Sequence, residues 1–181
     1  MKLRKDRPVG YFFEDYEVGQ TMISRGRTIT ESDIVQFGSL TGDFNPMHFD
    51  ADYMQDHMLG SRVAHGMLTV SYAVGQAYQL GFLEQTVLSF RSMAMKFSQP
   101  VYIGDTVHVE IKVKEMKPAK RLGGGTVTLE IRIVNQEDKA VQKGEWVVLV
   151  ASAETVVDTA EMEKVDGNDA STGDNKESDS E

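Results

Sequence analysis

Three features of the 181-residue sequence predict an α+β fold in which an antiparallel sheet wraps around one long buried helix. The first is residues 66–80, which hold no charge and carry small or apolar residues on nearly all sides, as a helix inside a core does. The second is strict alternation downstream. Val107, Val109, Ile111 and Val113 alternate with His108, Glu110, Lys112 and Lys114; Val127, Leu129, Ile131 and Ile133 alternate with Thr128, Glu130 and Arg132. Period two means one buried and one wet face. The third is order: one buried helix followed by four strands leaves a single helix for the sheet to wrap.

Taken in order, residues 11–20 are aromatic-rich and end at a turn signal, Gly19. Residues 21–30, rich in β-branched side chains, predict a first strand. Thr30-Glu31-Ser32-Asp33 predicts a helix start, because the Thr30 hydroxyl can accept from the amide three residues on and the acids favour the positive helix end. Ile34, Val35, Phe37 and Leu40 give that helix an apolar side, and Gly42 ends it. Asp43 emerges at the helix C-terminus, a poor electrostatic position for a carboxylate that lacks a partner. Asn45-Pro46 then forces a bend. Residues 50–60 are irregular, with Asp52, Asp56 and His57 on a short exposed helix, and residues 61–64 form a loop. After the buried helix Gly81 serves as its cap. Met93, Met95 and Phe97 alternate with Ala94 and Lys96 before Pro100 and the Gly104-Asp105 turn. Residues 115–125 form a loop holding Lys117, Lys120, Arg121 and three consecutive glycines. The last strand, residues 145–151, is apolar on both faces, so it lies centrally or under a partner subunit.

The formal charge of −9 is unevenly distributed. Residues 154–181 hold ten acids and two lysines, net −8, which leaves −1 for the remainder. The division is a domain over residues 1–153 and an acidic, disordered tail over 154–181 that cannot bury enough apolar surface to order itself. A near-neutral domain without a dominant basic face argues against nucleic-acid binding. The absence of Cys excludes disulfides, thiolate metal sites and a cysteine nucleophile, and fits the reducing cytoplasm expected here. The basic N-terminus has no apolar run behind it and does not read as a secretory signal, and no stretch approaches the ~20 apolar residues a membrane helix needs.

The candidate chemistry lies in Thr41-Gly42-Asp43-Phe44-Asn45-Pro46-Met47-His48-Phe49-Asp50. A carboxylate and an imidazole five residues apart can converge across the Asn45-Pro46 bend, and His65-Gly66-Met67 opens the buried helix seventeen residues later. Asp-x4-His followed by His-Gly-Met at this separation, with the Pro100 to Val107 turn and strand, resembles the MaoC-like enoyl-thioester hydratases over residues 11–153. That resemblance implies the hotdog fold and reversible hydration of trans-2-enoyl thioesters to (R)-3-hydroxyacyl thioesters. It implies that Asp43 and His48 handle the water and its proton and that the Gly66 amide holds the thioester oxygen, with Asn45 fixing the loop or the water. His65 is read as structural, bracing the loop before the helix.

The implied substrate carries CoA or the phosphopantetheine of an acyl carrier protein, and no cofactor is expected. Lys117, Lys120 and Arg121 are candidates for contact with the CoA phosphates. A homodimer or dimer-based oligomer is expected, because a single such sheet leaves edges to pair. A metal site is not expected: counted from Asp43 as a calcium loop, the glycine position holds His48 and the terminal glutamate position holds Met54. Two other readings share the fold. A hotdog thioesterase is disfavoured by the lack of a carboxylate on the central helix. A non-catalytic acyl-thioester binding protein is kept in view by Val74, where some relatives have serine, with Ser71 one turn earlier as a substitute.

Overall fold

The computed structural model describes Leu3, Arg7 and residues 9–155; the acidic segment lies outside the described residues from 156 onward. Strand β1 (Thr21–Ile23) and strand β2 (Arg27–Thr28) replace the single first strand expected over 21–30. Both pair antiparallel with β4 (Thr106–Ala119), and the break between them has a local cause. The Ser24 hydroxyl accepts the Val109 amide at 2.9 Å, and the buried Gln76 side chain donates to the carbonyls of Arg25 at 2.8 Å and Val107 at 3.0 Å. Side chains thus take ladder positions that a continuous strand would have filled with backbone.

Helix α1 (Glu31–Thr41) begins and ends where the sequence indicates. The Thr30 hydroxyl accepts the Asp33 amide at 3.3 Å while the Asp33 carboxylate accepts the Thr30 amide at 2.8 Å, a reciprocal capping box. Gly42, at φ +78°, adopts the left-handed conformation that closes the helix and sends the chain on to Asp43. Two short helices follow, α2 (Pro46–Phe49) and α3 (Ala51–Gln55), and then the central helix α4 (Gly66–Gln79).

The sheet runs β1-β4-β5-β6-β3, all pairs antiparallel, with β3 (Val87–Phe97) at one edge, β5 (Gly124–Val134) and β6 (Ala140–Ala151) inside. Helix α4 lies in its concave face, the hotdog arrangement. Leu68, Val70, Ala73 and Ala77 of α4 pack against Val107, Val109, Ile111, Leu129, Ile131, Ile133 and Trp146 in one core. Each such aliphatic side chain contributes roughly 1.5–3 kcal/mol by leaving water, so the helix and sheet hold one another. The last strand is longer than expected, begins at Ala140, and lies between β5 and β3, with its residues 146–151 buried apart from the half-buried Val147.

Three expectations need revision. Helix α4 is not covered on all sides, since Met67, Ser71, Gly75 and Tyr78 form an exposed stripe along it. The glycine-rich loop at 115–125 is shorter, because β4 runs to Ala119 and β5 starts at Gly124, leaving the turn Lys120–Leu122 between them. Residues 154 and 155, read from the sequence as tail, are ordered: Ala153–Thr155 forms a turn in which the Ala153 amide bonds to Glu14 at 3.1 Å and the Thr155 hydroxyl bonds to the Gly123 carbonyl at 2.8 Å.

Candidate active site

The site is built where α1 ends and α4 begins. Asp43 follows the Gly42 cap with its side chain exposed, and one carboxylate oxygen accepts the Asn45 amide at 3.3 Å. Asn45, held extended (φ −54°, ψ 134°) by the proline after it, turns its own side-chain oxygen to the Met47 amide at 3.2 Å and caps α2. Pro46 occupies the first turn, where its missing N–H costs nothing. The expected bend therefore contains one turn of helix. It carries His48 inward from the exposed Asp43 side.

His48 is 7 % exposed, and its Nδ1 lies 2.7 Å from the Val63 carbonyl. A carbonyl only accepts, so Nδ1 carries the proton and Nε2 keeps a bare lone pair. Burial lowers the His48 pKa below its ordinary 6.5; the Val63 bond and the Asp43 charge oppose this and the neighbouring His65 reinforces it. The result is an imidazole that stays neutral, and hence basic, near neutral pH.

His65 does more than brace a loop. Only 2 % exposed, it donates from Nε2 to the Asp43 backbone carbonyl at 2.9 Å and stacks on His48 with ring centroids 3.8 Å apart and planes 28° apart. Asp43, His48 and His65 each present a ligand-type atom within 4.8 Å of the others. His48 Nδ1 is committed to the Val63 carbonyl and His65 Nε2 to the Asp43 carbonyl, so each ring keeps one further nitrogen.

Gly66 is the first residue of α4, so its N–H falls among those that helix geometry leaves without a carbonyl, at the positive end of the dipole. A Cβ there would lie 2.7 Å from the Phe97 ring. Any larger residue there would have to displace that ring. A cleft of about 440 Å³ opens beside it, bordered by His48, Thr69, Phe97, Val101 and Gln142 as well as Gly66. Gln142 is buried and donates from Nε2 to the Gly66 carbonyl at 3.1 Å. Thr69, Phe97 and Gln142 were not singled out from the sequence. Gln142 sits between Val141 and Lys143 and reads as an ordinary strand polar residue until the β3–β6 register sets it opposite Phe97.

Other candidates separate from the cleft. Ser71 donates to the Met67 carbonyl at 2.8 Å on the exposed stripe and does not replace a cleft serine, while Val74 packs against the core. Lys117 pairs with Thr126, and Gly125 with Val150, which sets the basic hairpin at the far end of β6 from Gln142. At ~3.3 Å per residue the separation along the strand is about 26 Å, so Lys117, Lys120 and Arg121 do not border the cleft of their own chain. His57 accepts the Leu59 amide, and His108 lies 3.7 Å from Glu110, both remote from this chemistry.

The family described as MaoC like domain matches residues 15–135. The (R)-specific enoyl-CoA hydratase of Rhodospirillum rubrum is 35% identical over 141 residues, covering 77% of this chain and 92% of that protein. The 3-hydroxybutyryl-CoA dehydratase of Methylorubrum extorquens is 34% identical over 146 residues, covering 79% and 86%. Among solved structures, the unliganded R-hydratase PhaJ1 of Pseudomonas aeruginosa superposes with a TM-score of 0.66 at 30% identity, covering 77% of this chain and 85% of that one.

Proposed function

The chain belongs to the MaoC-like family, and on that premise we infer that it is a hydro-lyase interconverting trans-2-enoyl and (R)-3-hydroxyacyl thioesters. The observation that carries this reading is the 2.7 Å contact of His48 Nδ1 with the Val63 carbonyl, which assigns the tautomer. With Nδ1 committed to Val63, the bare Nε2 is the atom left to take a proton, beside a carboxylate and a glycine amide at a helix start.

The chemistry follows from those three groups. One water is held by the Asp43 carboxylate, which accepts one of its hydrogens, and by His48 Nε2, which accepts the other. As the water oxygen bonds to Cβ of the enoyl group, His48 takes the proton and the double-bond electrons move onto the thioester oxygen. The Gly66 amide stabilises that enolate charge, helped by the helix dipole. The imidazolium then returns a proton to Cα, so one water supplies both added atoms. Hydration transfers no electrons, and the reaction needs no redox cofactor. Asn45 holds the loop through its cap on α2 and is not assigned a contact with substrate.

Helix α4 carries no carboxylate, which favours hydration over thioester hydrolysis. The substrate is an acyl thioester of CoA or of an acyl carrier protein, in fatty-acid or related acyl metabolism of the cytoplasm. A homodimer is the working form, since the β3 edge exposes Leu88, Phe90, Met93 and Phe97, and α4 has its bare stripe. The basic hairpin of one chain can serve an anionic carrier only as a contribution to the partner's cleft.

The test is hydration of crotonyl-CoA by Asp43→Asn, His48→Gln and the double variant. Each single change should lower kcat by on the order of 10²–10⁴-fold with the fold intact, and the double should be little worse than either, because both act on one water. Full hydratase activity in His48→Gln would contradict the mechanism.

A further inference from the structure

We propose that His65 is a positioning residue that holds all three parts of the site, the Asp43 loop, the His48 ring and the Gly66 amide, in one geometry. This rests on the hydratase reading above.

The three links are separate. The Nε2 to Asp43 carbonyl bond ties down the backbone of an exposed residue whose carboxylate otherwise has a single bond, to the Asn45 amide. The stacked ring limits rotation of His48 about the axis that keeps Nδ1 on Val63, and Phe37 and Phe49 hold the His65 ring from its other sides at centroid distances of 5.0 and 5.9 Å. The oxyanion donor is the N–H of the peptide that joins His65 to Gly66, so the backbone of His65 sets where that N–H points. At φ −57° and ψ 131°, His65 turns the chain into α4 without capping it by its side chain.

A purely structural role does not account for an imidazole at this position. Its Nδ1 is buried without a hydrogen-bond partner among the described residues. A phenylalanine would fill the same aromatic pocket with no orphaned polar atom. What phenylalanine lacks is the donor to Asp43 and the charge coupling to His48. The groups facing His48, among the described residues, are the Asp43 carboxylate, the Val63 carbonyl and the His65 ring.

The experiment compares His65→Phe, which keeps the ring and loses the donor, with His65→Gln, which keeps a donor and loses the ring. Wild type and both variants are assayed for crotonyl-CoA hydration over a range of pH. His65→Phe should lower kcat by roughly 10–100-fold, the usual cost of a misplaced catalytic group, while KM changes by less than about threefold. Its acid limb should shift, because the His65 ring is one of the groups that set the His48 pKa. His65→Gln should retain more kcat than His65→Phe. A folded His65→Phe enzyme with wild-type kcat and pH profile overturns the proposal, as does the reverse order of the two variants. If neither variant folds, ring ¹⁵N shifts of the wild-type protein decide: a proton on His65 Nε2 and on His48 Nδ1 is expected, and a proton on His65 Nδ1 overturns it. Wild-type protein that fails to hydrate crotonyl-CoA sinks the hydratase reading, whereas the ring shifts still judge the placement of His65.

Discussion

Burial gives His48 its use as a base, and the sign of its shift makes a testable statement about pH. The reactive form is neutral, and protonation removes it. Because the pKa lies below 6.5, the acid limb of kcat/KM, which reports the free enzyme, should have its midpoint below that value and not above it. A midpoint above 6.5 would assign the limb to another group. Gly66 makes a second statement at this scale: Gly66→Ala drives a methyl group to 2.7 Å from the Phe97 ring, so kcat should fall by at least about tenfold as the ring or the helix start shifts. Alanine keeps the N–H, so normal turnover in that variant would show that the Phe97 ring yields to the methyl without displacing the amide. Asp43, His48 and Gly66 were legible in the sequence because their relation is local, a helix end, a proline turn and a helix start. Gln142, Phe97 and Thr69 were not, because they border the cleft only through the β3–β6 register and the rotation of α4. His65 was visible as a residue, but its bond to Asp43 crosses 22 positions of sequence.

The element that aims the site is α1, and its start is tied to α4 by charge and hydrogen bonds. Burial pushes the Asp33 carboxyl up, and bonds from Tyr72, from the amide and hydroxyl of Thr30, and from Arg27 more than reverse this, leaving it below the usual range. The Tyr72 phenol is pushed up to about 12, by burial and then by the Asp33 bond. Arg27 completes the cluster, 3.1 Å from Asp33 and with its guanidinium 3.7 Å from the centre of the Tyr72 ring. A depressed carboxylate pKa stabilises above its unfolded value of 3.8 and loses that contribution as pH falls through the folded pKa. Asp33→Ala should destabilise the protein by about 1–3 kcal/mol in denaturant titration at neutral pH, since it removes a cap and leaves the half-buried Tyr72 hydroxyl short of its acceptor. An unchanged midpoint would show that the cluster is ornamental. Both ends of α1 were readable from Thr30, Asp33 and Gly42, which cap within a few residues. The break in the 21–30 strand was not, because its cause, Gln76, lies about fifty residues away on α4.

At the scale of the molecule, the antiparallel sheet and its single long helix followed from periodicity alone, whereas the location of the basic hairpin needed the register. No helix among the described residues is long and apolar enough to cross a membrane. The exposed β3 edge and the bare stripe on α4 should be covered in a dimer, and light scattering at micromolar concentration should give twice the chain mass; a monomer with full activity would remove that assembly. The account as a whole turns on what the protein does to an enoyl thioester. The most direct measurement is incubation of the wild-type protein with crotonyl-CoA, followed by chiral analysis of the acyl product and a parallel assay for free thiol. Formation of (R)-3-hydroxybutyryl-CoA without thiol release is expected. Thiol release without hydration would contradict the account and assign the cleft to hydrolysis.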